Sequence, residues 1–496
     1  MISPARSAGS AGSDETPGAP VLPGGNWPRW RVFPPIALGV VMATLDASVV
    51  NIALPTLQRA FGSPLSTVEW VALAYSLTMT SLLLSAGRLA DARGRRRVYG
   101  AGLLLFTCVS VLCGLAPTVQ ALIALRVIQS VGAALVAANG SALLVQAFPL
   151  EERGRALGAF GAMVGVGLAI GPPLGGLVVA NASWRWIVLV NLPLGLLALL
   201  LLRRRVPHDG APAEAPRVEL LQPLLWAGGL AGLMLALTRG PEHGWGERWV
   251  LMLAVAGVLL LVAFLAVQQR SKHPLMPLRL VKGPLGWAVT LTFLGQLLSV
   301  SVGFSLPLVL EGLAGMSAAR SGAWLAVLPG AALLCAPLAG RWADRWGAHR
   351  LTVSGMLLTA LGLAWLSQSG GSVGGWSLAG ALAMVGVGQG LFAVPNASAL
   401  LSLVPPESLG LASGLQGTTR NLGIASGVAV TGVLLTARYH ALAGLPLALG
   451  AASPLDRPAF ATAASETYGL FAIVAAAAAA LAWRVRAPAR AASARP

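Results

Sequence analysis

Three charged residues lie away from the ends of this chain's long apolar runs: Asp46, Arg126 and Arg420. A charge at the centre of a membrane span costs roughly 2.5–3.5 kcal/mol on insertion scales, so each calls for a physical reason. Asp46 lies about a dozen residues into its run and is alone at that depth among the 17 acids. A carboxyl away from water favours its neutral form, so such a group can load and release a proton. The alternative is a structural ion pair. Arg126 is the natural counter-charge and shares a helix face with Gln129. It is only eight residues into its run, so it could equally snorkel to the surface as a helix-end anchor. Spacing does not say whether Asp46 and Arg126 meet. Arg420 shares a face with Gln416 and Gly423 and needs a partner or a water-filled cavity. Tyr75, Gln296 beside Ser299, and Gln389 with Asn396 are polar positions in other runs. Each is a candidate cavity contact for a small molecule or a helix–helix hydrogen bond.

The elements that must position these residues are membrane helices. Of 496 residues, 56% are hydrophobic and 10% charged, less than half the roughly 25% of a soluble domain. Mean hydropathy is +0.75. A soluble enzyme and a disordered chain are both excluded. Fourteen apolar runs have the length a bilayer demands: about 34–57, 68–90, 98–116, 118–147, 155–180, 185–202, 220–239, 249–269, 286–311, 320–341, 351–368, 376–401, 411–437 and 466–484. A barrel would need short alternating segments instead. Of the 34 basic residues, 25 fall in the tails and alternate breaks on the side of the N-terminus and 7 on the other. That split predicts both termini in the cytoplasm. It also turns the net charge of +17 into a topology signal and excludes nucleic acid as partner. No Cys/His spacing suggests a metal site, and no GxxxxGK[ST] loop or nucleophile–base constellation suggests an enzyme. The expected state is a monomer in the lipid bilayer with no cofactor. Lys272 and Lys282 are the only lysines, a bias that points to a GC-rich bacterium and its inner membrane.

An internal repeat sharpens the architecture. Gly87-Arg-Leu-Ala-Asp91-Ala-Arg-Gly94-Arg95-Arg-Arg97 returns 253 residues later as Gly340-Arg-Trp-Ala-Asp344-Arg-Trp-Gly347-Ala-His-Arg350. Both copies leave a span for a basic loop, so the repeat is parallel. The reading is an all-α polytopic membrane protein. A cytoplasmic tail (1–32) precedes a six-helix bundle (33–205). A linker with two helices (206–283), a second six-helix bundle (284–484) and a basic tail (485–496) follow. The Gly87, Asp91, Gly94 and Arg95 loop is a candidate gate, in which Asp91 could latch onto arginines or onto a helix N-terminus of the facing half. In span 5, Gly161, Gly165, Gly167, Gly171, Pro172 and Gly175 make a small-residue helix that lets another backbone come close. A tight seal between the halves and ordinary helix packing both fit that pattern.

These residues resemble the major facilitator superfamily, and within it the fourteen-spanner drug:proton antiporter branch. Leu45-Asp46-Ala-Ser-Val-Val-Asn-Ile-Ala-Leu-Pro55 is similar to the branch's first-helix signature. The Gly87–Arg97 loop, the Arg126–Ala133 segment, the span 5 glycines, Trp184-Arg-Trp-Ile187 with Asn191-Leu-Pro193, and Pro274–Leu280 match it too. Ser130 stands where a Gly is usual. The resemblance covers residues 33 to about 484. It implies two bundles related by a pseudo-two-fold axis along the membrane normal, with two extra helices between them. It also implies export of hydrophobic or amphipathic drugs and antibiotics driven by the proton gradient, with Asp46 and Arg126 in proton coupling. A dedicated exporter of one endogenous metabolite, natural product, peptide or lipid is the second expectation, and a transport-dead sensor or scaffold the third.

Overall fold

The computed structural model describes residues 29–149, 152–207, 221–271, 274–276, 283–316, 318–369, 375–444 and 456–484. The tails expected at 1–32 and 485–496 lie outside these, apart from residues 29–32. Among the described residues there are fourteen long helical segments and no strand. The first half holds α1 (Phe33–Phe61), α2 (Trp70–Arg93), α3 (Arg95–Gly114), α4 (Val119–Ala147), α5 (Arg153–Asn181) and α6 (Asn191–Arg205). Then come α7 (Leu221–His243) and α8 (Arg248–Arg270). The second half holds α9 (Pro284–Ala314), α10 (Val327–Trp346), α11 (Ala348–Gln368), α12 (Gly375–Ser402), α13 (Leu409–Ala443) and α14 (Arg457–Arg484). Short helices Arg185–Leu189 and Ala318–Leu325 lead into α6 and α10. Thirteen of these segments are long and apolar enough to cross a membrane; α5, with 29 residues, is the fourteenth long helix.

Packing within the halves is duplicated. α1 lies on α5, α2 on α4, α3 on α4 and α1 on α6; the second half repeats this as α9 on α13, α10 on α12, α11 on α12 and α9 on α14. The halves meet where α2 packs on α13 and α5 on α10, which are equivalent pairs under the same exchange. α7 pairs with α8 and leans on α2 and α13.

Helix ends differ from the apolar runs in an informative way. α2 continues to Arg93 and α10 to Trp346, so Asp91 and Asp344 lie on helices rather than in the loops expected for them. Transfer energy ends an apolar run at the first charges, whereas the helix itself ends where the backbone turns. That turn is made by Gly94 (φ 96°) and by its repeat Gly347 (φ 88°), a region that L side chains rarely enter. α14 likewise starts nine residues before its apolar run. Pro458 sits in its first turn, and Asp456 accepts a bond from the Ala459 N–H at 3.1 Å.

Candidate functional site

The first half encloses a polar cluster at mid-helix. Arg126 Nη1 lies 2.5 Å from Asp46 Oδ2, with side-chain exposures of 1% and 0%. The same nitrogen donates to Gln129 Oε1 at 2.6 Å, and Nε donates to the Val71 carbonyl at 3.2 Å. The guanidinium carbon sits 4.1 Å from the centroid of the Tyr75 ring, a cation–π distance. Asn191 Nδ2 donates to Asp46 Oδ1 at 2.8 Å and to Ser110 Oγ at 3.1 Å. Ser110 in turn accepts from Gln129 Nε2 at 2.5 Å. Helices α1, α2, α3, α4 and α6 thus all contribute to one buried ion pair. Arg126 is not a surface anchor. Two positions expected in the substrate cavity, Tyr75 and Gln129, are 2% and 0% exposed and belong to this cluster. Gln129 meets its hydrogen-bonding needs inside the protein, at Arg126 and Ser110, whereas Tyr75 offers Arg126 its ring face and its hydroxyl has no hydrogen-bond partner among the described residues. Asn191 and Ser110 were not singled out from the sequence, although Asn191 stands in the quoted Asn-Leu-Pro segment.

Two carboxylates join the halves at the end of the molecule that carries the basic loops. Asp91 Oδ1 accepts from the Gly410 N–H at 2.9 Å and Oδ2 from the Leu411 N–H at 2.7 Å. These are the second and third residues of α13, where helical N–H groups have no partner of their own. Arg95 Nη2 bonds Asp91 Oδ1 at 2.8 Å and also donates to the Pro406 carbonyl across the interface. Asp344 repeats the arrangement: its carboxylate accepts from the Gly154 and Arg155 N–H groups at the start of α5, each at 2.9 Å. Glycines make both approaches possible. A methyl on Gly87 would run into the Gly410 carbonyl, and one on Gly340 into that of Gly154. The sequence signal for the receiving helices is a second repeat, Gly154-x3-Gly158 and Gly410-x3-Gly414, which was not singled out.

The small residues of α5 serve two interfaces. Gly161 and Gly165 face Val394 and Leu333 of the second half. Gly167, Gly171 and Gly175 instead abut Thr44, Ser48 and Val49 of α1, and Ser48 Oγ donates to the Leu168 carbonyl at 3.1 Å. Only the part of the motif nearer the basic end therefore seals the halves, because Gly167, Gly171 and Gly175 point back into their own bundle. The side chain of Pro172 lies outside the described residues. Other inter-half bonds run from Ser141 to Ser413 (2.6 Å) and from Asn421 to Thr80 (2.7 Å). These contacts lie between the basic end and the middle of the helices.

The remaining cavity candidates separate. Asn396 is 4% exposed and donates to Thr292 Oγ1 at 2.8 Å, a link between α12 and α9. Gln389 is 5% exposed on the same face of α12, and its amide nitrogen has no hydrogen-bond partner among the described residues. Gln296 is half-buried on α9 where Gly423 of α13 packs against it. Arg420 is half-buried with no hydrogen-bond or ion-pair partner among the described residues.

The sequence pattern of the Major Facilitator Superfamily matches residues 36–428 and 288–496. The chain belongs to this superfamily. It is a multi-pass membrane protein with the superfamily's all-α fold. It is 33% identical over 423 residues to the multidrug resistance protein Stp of Mycobacterium tuberculosis, covering 85% of this chain and 78% of that one. It is 36% identical to the cephamycin export protein CmcT of Amycolatopsis lactamdurans, covering 82% and 85%. Its fold is similar to that of the human organic anion transporter MFSD10, with a TM-score of 0.63 at 16% identity, covering 90% of this chain and 99% of that one.

Proposed function

We propose that the protein is a proton-coupled antiporter that exports hydrophobic or amphipathic small molecules, antibiotics among them, across a bacterial inner membrane. It works as a monomer by alternating access, with both termini in the cytoplasm, and leaves its substrate chemically unchanged. The observation that carries this reading is the buried Asp46–Arg126 pair. Protonating Asp46 cancels one charge and leaves Arg126 uncompensated, a situation that costs about 3–5 kcal/mol when a buried pair is broken. The first half lowers that cost by letting Arg126 reach water or another partner. Proton loading is thereby tied to rearrangement of α1 against α4. With the basic end cytoplasmic, the Asp91 and Asp344 contacts hold the cytoplasmic side shut. The driving force suffices: one proton crossing 100 mV supplies about 2.3 kcal/mol, and a tenfold gradient costs about 1.4 kcal/mol.

The test is proteoliposomes loaded with a pH-sensitive dye and challenged with candidate compounds. Substrate-dependent proton movement is expected in the native protein and absent in Asp46→Asn, with substrate binding retained. An equal signal in the mutant would defeat the assignment. The name of the cephamycin export protein supports a second reading, a dedicated exporter of one natural product. The same screen separates the two by the number of compounds that respond.

A further inference from the structure

We infer that the space between the halves takes substrates with an anionic head group on an apolar body, and that Arg420 binds that head group. This rests on the exporter reading and adds the substrate class.

Charge accounting within the spans carries the argument. Asp46 and Arg126 cancel each other inside the first half. Asp91 and Asp344 are engaged by helix N–H groups of the facing half. Glu69 pairs with Arg239 at 3.6 Å and Glu466 with Arg438 at 2.5 Å. Glu311 is exposed at the far end of α9. No free acid among the described residues therefore faces the middle of the molecule, while one cation there, Arg420, stands unpaired.

Placement aims Arg420 between the halves. It is the twelfth residue of α13, so about 17 Å from the basic end at 1.5 Å per residue, near the middle of a roughly 30 Å core. Ser413 lies two turns earlier on the same face and bonds Ser141 of the opposite half at 2.6 Å. Asn421, next in sequence, bonds Thr80 of the opposite half. Gly423 packs on α9, and Gly417 on Leu83 of α2. Arg420 projects between those two faces, as does Ile424, which is 37% exposed one turn further on. Arg420 therefore lies beyond the Ser141–Ser413 bond and beside the Asn421–Thr80 bond, at the depth where the two halves meet near the middle of the helices. Its guanidinium offers five N–H donors in a planar fork that suits a carboxylate or sulfonate. An arginine at this depth needs a counter-charge or water, and a substrate anion supplies the former.

The test uses the full chain in lipid nanodiscs and two probes with the same aromatic body, 8-anilino-1-naphthalenesulfonate and N-phenyl-1-naphthylamine. Only the first carries an anion. Binding is read as energy transfer from tryptophan, with empty nanodiscs subtracted. A charge-assisted bond predicts about 10- to 150-fold tighter binding of the sulfonate. Arg420→Gln should abolish that preference without altering affinity for the neutral probe, Arg420→Lys should keep part of it, and Arg420→Glu should invert it. Equal affinities in the native protein, or an unchanged preference in Arg420→Gln, would overturn the inference. Arg420 has no partner to strand, so its loss leaves the fold intact, checked by an unchanged unfolding temperature. Binding and proton movement fail separately. A sulfonate preference that depends on Arg420, with no compound moving protons, upholds the anion site and removes the antiport reading. Asp46-dependent proton exchange with charge-blind binding does the reverse.

Discussion

Replacing Asp91 by Asn should open the basic end of the molecule, and the size of the effect follows from the bonds it makes. The carboxylate receives the Gly410 and Leu411 N–H groups, one on each oxygen. An amide keeps one acceptor and turns an N–H toward the other donor, so one bond to a charged acceptor is lost, worth about 1.5–3 kcal/mol. The negative charge at the start of α13 is lost as well, worth about 0.3–1 kcal/mol. The Asp91–Arg95 pair lies four residues apart in one half and survives opening, so it does not enter the difference. The closed state is then weakened by about 2–4 kcal/mol, or about 30- to 700-fold in population. Ser413 reports that population, being 4% exposed beneath the closed interface. In a background with Cys108, Cys113 and Cys335 replaced by Ala, a Ser413→Cys variant should react with an impermeant maleimide 30- to 700-fold faster once Asp91→Asn is added. Asp344→Asn should act in the same direction through Gly154 and Arg155. The two effects should multiply, because the two contacts share no partner. Acceleration below about threefold for either substitution would refute the latch.

Three further outcomes follow from the same geometry. Arg126→Gln should lower stability by about 3–5 kcal/mol in thermal unfolding, and adding Asp46→Asn should recover part of that loss, since the stranded charge is then gone. Gly87→Leu should raise the maleimide reactivity at residue 413 by forcing α2 off the Gly410 carbonyl, whereas Gly171→Leu should abolish export without that rise, because its neighbour is Ser48 of the same half. Leu275→Ser with Met276→Ser should also raise that reactivity. Both side chains are buried against Leu84, Leu411 and Leu415 beside the Asp91 contact, and each contributes about 1.5–3 kcal/mol of apolar burial.

The fold was legible because lipid imposes it: fourteen apolar runs and one 253-residue repeat leave few alternatives. Residue types at the polar cluster were legible for the same reason, since a charge in a span stands out. Their pairing was not, because it depends on how α1 and α4 rotate about their axes. Tyr75 and Gln129, expected in the substrate cavity, are instead buried beside that ion pair. A polar side chain in a span looks alike from sequence whether it faces a ligand or a neighbouring helix, and only burial tells them apart. Asp91 was recognisable through its repeat, and a helix N-terminus was among its conceivable partners. That the helix is α13 became visible only when the backbones of Gly87 and Gly410 were seen to touch. The α7–α8 pair carried the least signal. Its anchorage uses Gln222 and Gln268, 1% and 3% exposed, which both accept from the Leu275 N–H. Two glutamines among so many polar breaks have no distinguishing spacing.

What the repeat keeps and what it discards fits the division of labour proposed for the two halves. The shift that carries Asp91 onto Asp344 and Gly87 onto Gly340 carries Asp46 onto Ser299 and Arg126 onto Ala379. The contacts that close the basic end are therefore present twice, while the buried ion pair is present once. Closure of two rigid bundles needs attachment at both edges of their interface, α2–α13 and α5–α10, or one edge would splay open. A second buried ion pair would add another desolvation cost with no gain in closure. The second half instead carries Arg420 at mid-helix, with no hydrogen-bond or ion-pair partner among the described residues, on the helix whose N-terminus Asp91 holds. Movement of α13 that breaks the Asp91 contact also moves Arg420, eleven residues along the same helix. In the mechanism proposed above, a proton held in the first half and an anion held in the second would thus act on one interface from opposite sides.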